Sequence, residues 1–450
     1  MDDTRVHPTA RESSADLYRV VAVAIIVIGH WLLSAVTYRD GRFGYDEVLA
    51  EMPWTQWLTW FFQVVPVFFL VAGYANAASW THRRDAGDGA RSDWIRHRVR
   101  GILGPTTAYV AVVLAVVAIS GWVGVDGSQL AIPGWVVALH LWFLPVYLAV
   151  VSFTPLAVAA HQRWGLKVPA TMCVAVAVVD AVTLGGHVAV PGAVNYALCW
   201  GAIFQIGIAW FCGALRGRRP IVLALGATVV LATVIGLGLY PISMIGVTGQ
   251  PVQNTSPPTV ALLALATVQA GLLVAAAPAV SAWLRRARWR QLLTIANQNA
   301  LALYLWHMVP VVVVALACYP AALMPQPNLG SSAWWLWRMA WIAVLTAVTT
   351  VELILLWSGR TLFARPSASV AVRLPVSWRY PLHVSGTIGA IVALSRFASD
   401  GFAPRGHFPV ASALIYAAGV ALVSLNPVGT DRSSVAPKRP RRPWSFVGDG

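Results

Sequence analysis

Stretches of about 20 apolar residues recur along nearly the whole chain, each long enough to cross a bilayer core of roughly 30 Å as a helix. No other feature narrows the fold so far. Inside hydrocarbon every backbone N–H and C=O must be bonded internally, so a chain of such stretches folds as packed helices. About twelve spans are expected, at 17–37, 57–79, 102–121, 133–158, 168–186, 194–215, 220–240, 260–283, 293–318, 333–357, 382–398 and 409–426. The last two carry Ser, Gly and Arg396 and are weaker, open to a re-entrant or interfacial placement. Composition agrees: 58% of the 450 residues are hydrophobic and 11% charged, where soluble chains carry about a quarter charged. The expected fold is all-α, a polytopic integral membrane helical bundle of about ten core transmembrane helices plus one or two weaker C-terminal spans. The first span does not read as a cleaved signal peptide. It is too long, holds Arg19 and His30, and is followed by no small-residue cleavage pattern.

The formal net charge of +15 is distributed in a way that argues against nucleic acid. Basic residues concentrate in alternate connections: Arg5 and Arg11, His82 to Arg100, Arg163 to Lys167, Arg216 to Arg219, Arg285 to Arg290, Arg360 to Arg379, and Lys438 to Arg442. The connections between them (39–56, 122–132, 187–193, 241–259, 319–332) hold few cations and several acids, among them Asp40, Asp46, Glu47, Glu51 and Asp126. This alternation predicts both termini in the cytoplasm and a multi-pass protein of the plasma membrane, with most cations facing anionic lipid or water.

Cys173, Cys199, Cys212 and Cys318 lie in or beside apolar spans without CxxC or Cys/His metal spacing. They read as packing residues, so no metal site and no disulfide framework is expected. No internal repeat supports a repeat-built transporter. The simplest division is a cytoplasmic segment at 1–14, a membrane domain at 15–360, a membrane extension at 361–426, and a disordered basic tail at 427–450, rich in Pro, Arg and Ser.

Polar residues inside the spans carry the functional question. Arg19 and His30 stand eleven positions apart on one apolar helix, roughly 16 Å of rise. That places a cation near one membrane face and an imidazole deep in hydrocarbon. By the same topology His307 and His140 fall at comparable depth on the ninth and fourth spans. Burying three polar rings at one level requires partners, which favours a site over three isolated core histidines. Asn299 lies eight residues before His307 and is expected on its face, whereas Gln298 points elsewhere. Asn195, Gln205, Asp180 and Glu352 are further intramembrane polar residues for which structural and functional readings stand level. Arg96, Arg98 and Arg100 abut the third span, and Arg at this density suits phosphate oxygens as well as ordinary positive-inside charge. With Arg19 on the same side, they form a candidate cradle for the nucleotide end of a cytosolic cofactor. Gly73, with Ala72 and Ala75, reads as a close helix contact. Among the 22 Trp, Trp54, Trp57 and Trp60 read as interfacial.

These landmarks resemble a known pattern. Arg19-x10-His30 after Asp16-Leu17, then Val67-Phe-Phe-Leu-Val-Ala-Gly73-Tyr74, is similar to the opening of the acyltransferase 3 family. The basic run before Pro105, Trp142-Phe-Leu, and Tyr304-Leu-Trp-His307 follow in the family's order, over roughly residues 15–360. Two positions depart from it: Ala72 stands where the family often has Ser, and the basic run is looser than a paired arginine. No hydrolase-like extracellular domain follows, so an acceptor that is small, lipid-linked or presented by a separate protein is expected. The resemblance implies an acyltransferase of the class that moves groups other than amino-acyl groups. Its donor would be cytosolic acyl-CoA, chiefly acetyl-CoA, as co-substrate with no permanently bound cofactor. Its acceptor would be an envelope glycan or lipid-linked sugar, and its other partner membrane lipid.

A neutral imidazole is suited to take the acceptor hydroxyl's proton as it attacks the thioester, a role expected of His30. His30 as a covalent acyl carrier is the alternative. His140 and His307 would orient the acceptor or stabilise the oxyanion. Arg19, Arg96, Arg98 and Arg100 would bind CoA phosphates, and Asp16, three residues before Arg19, would hold its guanidinium. The rival function is a transporter or flippase of a lipid-linked sugar, which would keep the helices without consuming acyl-CoA.

Overall fold

The computed structural model describes residues 13–84, 90–186, 190–359 and 369–428. The N-terminal residues 1–12 and the basic tail from 429 onward lie outside the described residues. The chain is a polytopic helical membrane protein. Among the described residues, nine helices are long and apolar enough to cross a membrane, and two further bent pairs raise the number to eleven.

The order begins with α1 (Ser13–Leu33), a hairpin of β1 (Val36–Arg39) and β2 (Arg42–Tyr45), and a stepped region of single turns over residues 48–62. Then come α2 (Val65–Thr81) and α3 (Ala90–Trp122). Where one span was expected at 133–158, three helices occur: α4 (Gly127–Val136), α5 (Phe143–Ser152) and α6 (Thr154–Trp164), with a 3-10 turn at Leu139–Trp142. Next are α7 (Lys167–Gly186), α8 (Val194–Phe211), α9 (Arg219–Gly236) and α10 (Val260–Trp283). The expected span at 293–318 is likewise two helices, α11 (Ala287–Trp306) and α12 (Val309–Cys318), bent by 50°. The chain continues through α13 (Ser332–Ser358), β3 (Val370–Val372), α14 (Arg379–Asp400), α15 (Val410–Ser424) and β4 (Leu425–Pro427). Helix α14 is long enough to span, while α15 is shorter. Strands β3 and β4 pair in parallel, so regular structure runs through Pro427, where a disordered tail was expected to begin.

One of the two breaks is written in the sequence. Proline has no N–H and its ring collides with the carbonyl four residues back. Pro310 is therefore incompatible with a continuation of α11, but is tolerated in the first turn of α12. The other bend, of 47°, lies between Val136 and Leu139, ahead of the 3-10 turn, and Pro145 falls in the first turn of α5 beyond it. Two later helices begin on side-chain caps: Thr259 accepts from the Leu262 N–H and Ser331 from the Trp334 N–H.

The core is built on close backbone approach. A Cβ at Gly73 would collide with the Phe204 carbonyl, and one at Gly207 with the Leu70 carbonyl, so α2 and α8 touch along their backbones as small-residue packing requires. Glycines close the α14–α15 contact too, where a Cβ at Gly386 would lie 2.7 Å from the Gly419 carbonyl.

The expected alternation of connections also has a structural counterpart. Gln129 donates to the Gly41 carbonyl, Thr248 to Glu47 and Gln326 to the Tyr38 carbonyl, so the acid-bearing connections meet at one pole. At the other pole Arg379 pairs with Asp93 at 3.7 Å and Arg96 donates to Asn426.

Candidate functional site

The three histidines predicted at one depth come together. His30 Nδ1 lies 2.8 Å from His307 Nε2, their rings stacked with centroids 5.1 Å apart. The His140 ring lies edge-on to His307 at 5.0 Å. Two of the three sit at the helix breaks: His140 in the 3-10 turn, and His307 as the residue that ends α11. Breaking a helix in a low-dielectric interior frees carbonyls that need donors. Aromatic side chains supply them here. Trp31 Nε1 donates to the His307 carbonyl at 2.8 Å, Tyr304 OH to the His140 carbonyl at 2.5 Å, and Tyr109 OH to the Val137 carbonyl at 2.5 Å.

The hydrogen bonds fix the proton positions of the pair for neutral rings. His307 Nδ1 lies 2.8 Å from the Tyr304 carbonyl, which only accepts, so Nδ1 carries the proton and Nε2 is an acceptor. His30 must then donate from Nδ1, which leaves its Nε2 with a free lone pair. The order carbonyl, orienting ring, basic ring is the arrangement that activates a base. His30 is half-buried and lines a cavity of about 710 Å³ with His140, Trp135, Trp142, Gln63 and Gln253. Both ring nitrogens of His140, which is 1% exposed, lack a hydrogen bond of ordinary geometry.

Eleven residues toward the other end of α1, Arg19 is also held. Its Nη1 donates to Asn297 Oδ1 at 3.2 Å and lies 3.9 Å from Asp16, while Asn297 Nδ2 donates to Asp16 at 2.5 Å. Asn297 thus clips the carboxylate to the guanidinium across α1 and α11. Helix α1 runs unbroken between this cluster and the histidines.

Comparison with family models matches residues 12–357 to the acyltransferase 3 model, described as an acyltransferase domain. The chain is a member of the acyltransferase 3 family. Comparisons with curated proteins and with solved structures gave no match. Membership makes the protein, in general terms, a membrane-embedded acyl-transferring enzyme, and the matched region contains the whole histidine cluster and the Arg19 cluster.

Two expectations change within this family member. Asn299 does not support the site. Its amide bonds back to the Ile295 carbonyl and it lines a separate groove with Pro105, Ala302, Trp306 and Trp357, while Asn297 makes the contact with Arg19. At ~100° per residue, Asn299 is ~80° off the direction of His307 and Asn297 about as far off on the other side, so spacing alone did not choose between them. The arginines of the basic run also divide. Arg98 stacks on Trp94 at 5.5 Å and is within electrostatic reach of Arg19. Arg96 turns to Asn426 at 2.7 Å, with Arg100 and Arg379 in its field. Positions 96 and 100 share a helix face that 98 does not.

The anchoring residues Trp31 and Tyr109 were not singled out from sequence, because a buried aromatic donor looks like packing until its acceptor is known. Tyr304 gave more signal, standing three residues before His307. Of the polar residues left undecided, Asp180 accepts from Asn195, Tyr240 and the Val260 N–H, which makes it a brace between α7, α8 and α10. Gln205 bonds the Ala157 carbonyl. Among the described residues no group of His, Cys, Asp or Glu has metal-holding geometry.

Proposed function

We propose that this protein transfers an acyl group, chiefly acetyl, from cytosolic acyl-CoA to a hydroxyl of an envelope glycan or lipid-linked sugar, with His30 as the base. The observation that carries the reading is the His307–His30 hydrogen bond, which leaves a basic nitrogen facing a large cavity. His30 Nε2 takes the proton of the acceptor hydroxyl as its oxygen attacks the thioester carbonyl. Collapse of the tetrahedral intermediate breaks the C–S bond, and the CoA sulfur leaves with the proton returned from His30. His307 is a positioning residue that sets the His30 tautomer. His140, which lines the same cavity, would donate to the oxyanion or orient the acceptor.

The donor side rests on Arg19, with Asp16 and Asn297 holding its guanidinium and Arg98 nearby. A phosphate there and a thioester at His30 are separated by about 16 Å of helix rise, a separation a pantetheine arm can cover. On this reading the basic pole faces the cytoplasm of a cell with its plasma membrane around this protein, and both termini lie there.

The test is transfer from radiolabelled acetyl-CoA to envelope material in membranes. His30→Ala is expected to lose ~10²–10⁴-fold in kcat, and Arg19→Ala to raise the acetyl-CoA KM with little change in kcat. Full activity of His30→Ala at equal expression would sink the assignment. Mass spectrometry of envelope glycans from a deletion strain would identify the acceptor.

A further inference from the structure

A buried cation stands at the pole where the acid-bearing connections meet. Arg338, near the start of α13, is 7% exposed. Its Nη1 donates to the Ser34 carbonyl, just past the end of α1, at 2.9 Å. Its guanidinium carbon lies 4.4 Å from the centre of the Trp334 ring. The negative end of α1 and the ring face offset part of the charge. Among the described residues no carboxylate pairs with Arg338 to offset the rest. The nearby acid, Asp46, is already held by Arg39 at 2.8 Å. A cation withdrawn from water without a full counter-charge is costly.

The pocket beside this guanidinium is small and rich in donors. It has a volume of about 40 Å³, room for one small ion or a pair of waters. Trp341 lines it, is 3% exposed, and has its indole N–H buried without an acceptor. Tyr319, also in the lining, stacks on Trp341 with ring centroids 5.8 Å apart and lies within electrostatic reach of Arg338. A guanidinium and an indole N–H only donate. Water would satisfy a donor and leave the charge uncancelled, whereas an anion answers both. The valence follows from the charged groups of the lining: the guanidinium groups of Arg39 and Arg338 against the Asp46 carboxylate leave a single positive charge. The volume excludes anything as large as a nucleotide or a sugar.

We propose that this pocket binds a small monovalent anion, a halide or a short carboxylate, held by Arg338 and Trp341. The anion completes the joint between α1 and α13. Ser34 Oγ donates to the Trp31 carbonyl and Trp31 Nε1 to the His307 carbonyl, so the joint steadies the turn of α1 that carries His30. The site rests on none of the acyl-transfer assignments.

The test melts full-length protein in lipid nanodiscs, followed by tryptophan fluorescence, in sodium chloride, acetate or gluconate at equal ionic strength. An anion that binds the folded state alone raises Tm with its concentration. Chloride or acetate is expected to raise Tm saturably above gluconate, which is too large for the pocket. The anion that saturates at the lower concentration is the preferred occupant. Arg338→Met is expected to abolish the rise, while solvent effects of the salts act on both proteins alike. Trp341→Phe keeps the ring stack and removes the donor; one of 22 tryptophans, it leaves the fluorescence signal usable. It should raise the half-saturating concentration about 10–150-fold, the span of a charged hydrogen bond, and it carries the test if Arg338→Met does not fold. No saturable rise with either anion, or the same rise in Arg338→Met, overturns the proposal. An unchanged half-saturation in Trp341→Phe overturns the part assigned to Trp341.

Discussion

A histidine's competence as a base depends on which nitrogen holds its proton, and for a neutral His30 that is set two residues away. The Tyr304 carbonyl fixes His307, and His307 fixes His30. Gln at position 307 can still accept from His30 Nδ1 through its carbonyl, whereas Leu cannot. His307→Leu is therefore expected to lower kcat by ~10²-fold or more, and His307→Gln by clearly less. Equal loss in steady-state assays would show that tautomer control is not what His307 supplies. The donor end makes a matched prediction. Asn297→Leu breaks the bridge between Asp16 and Arg19 and should raise the acyl-CoA KM about 10–150-fold, the span of a charged hydrogen bond. Asn299→Leu should leave it within about twofold. At this scale the sequence was informative about residue type and depth: Arg19, His30, His140 and His307 all carry the signal of an ionisable group in an apolar run. It was uninformative about which of three consecutive amides meets Arg19, because that choice depends on the rotation of α11 against α1.

Helix interruptions place two of those histidines. Pro310 could have been read as a breaker, three residues after His307, whereas no proline marks the break between Val136 and Leu139 ahead of His140. Hydropathy averaged over a span hides both breaks, and the expected spans at 133–158 and 293–318 ran straight through. Pro310→Ala would permit α11 and α12 to join, turning His307 away from His30. Activity is expected to fall ~10-fold or more while the protein remains folded, since a carbonyl that regains its N–H loses no stability. Fluorescence size-exclusion profiles beside transfer rates check this. The contact of α2 with α8 tests packing alone. Gly207→Ala forces a methyl into the Leu70 carbonyl and should destabilise by about 1–3 kcal/mol or more, read as a lowered Tm in detergent.

That the chain is a polytopic helical bundle was legible because apolar stretches repeat over hundreds of residues. What was not legible is that the C-terminal extension lines the chamber His30 faces, since nothing in α14 marks Ser395 or Ser399 apart from other serines. The two poles give a prediction for the whole molecule. Thr248→Cys and Gln326→Cys, at the acidic pole, should react in intact cells with a membrane-impermeant thiol reagent. Ser92→Cys, at the basic pole, should react only after the membrane is opened. The opposite pattern would invert the topology and with it the side from which acyl-CoA reaches Arg19.

Gly73 and Gly207 bear on how such a molecule moves. Where two backbones touch, helices neither slide past one another nor part without opening a void that lipid cannot fill. The half of the bundle built on α2 and α8 is thus a stiff plank, and compliance is left to the bent pairs and to the polar connections over the chamber. Substrate exchange by flexing of those connections is compatible with that mechanics. A rocking cycle that swings one half of the bundle against the other would first have to unzip the glycine seam.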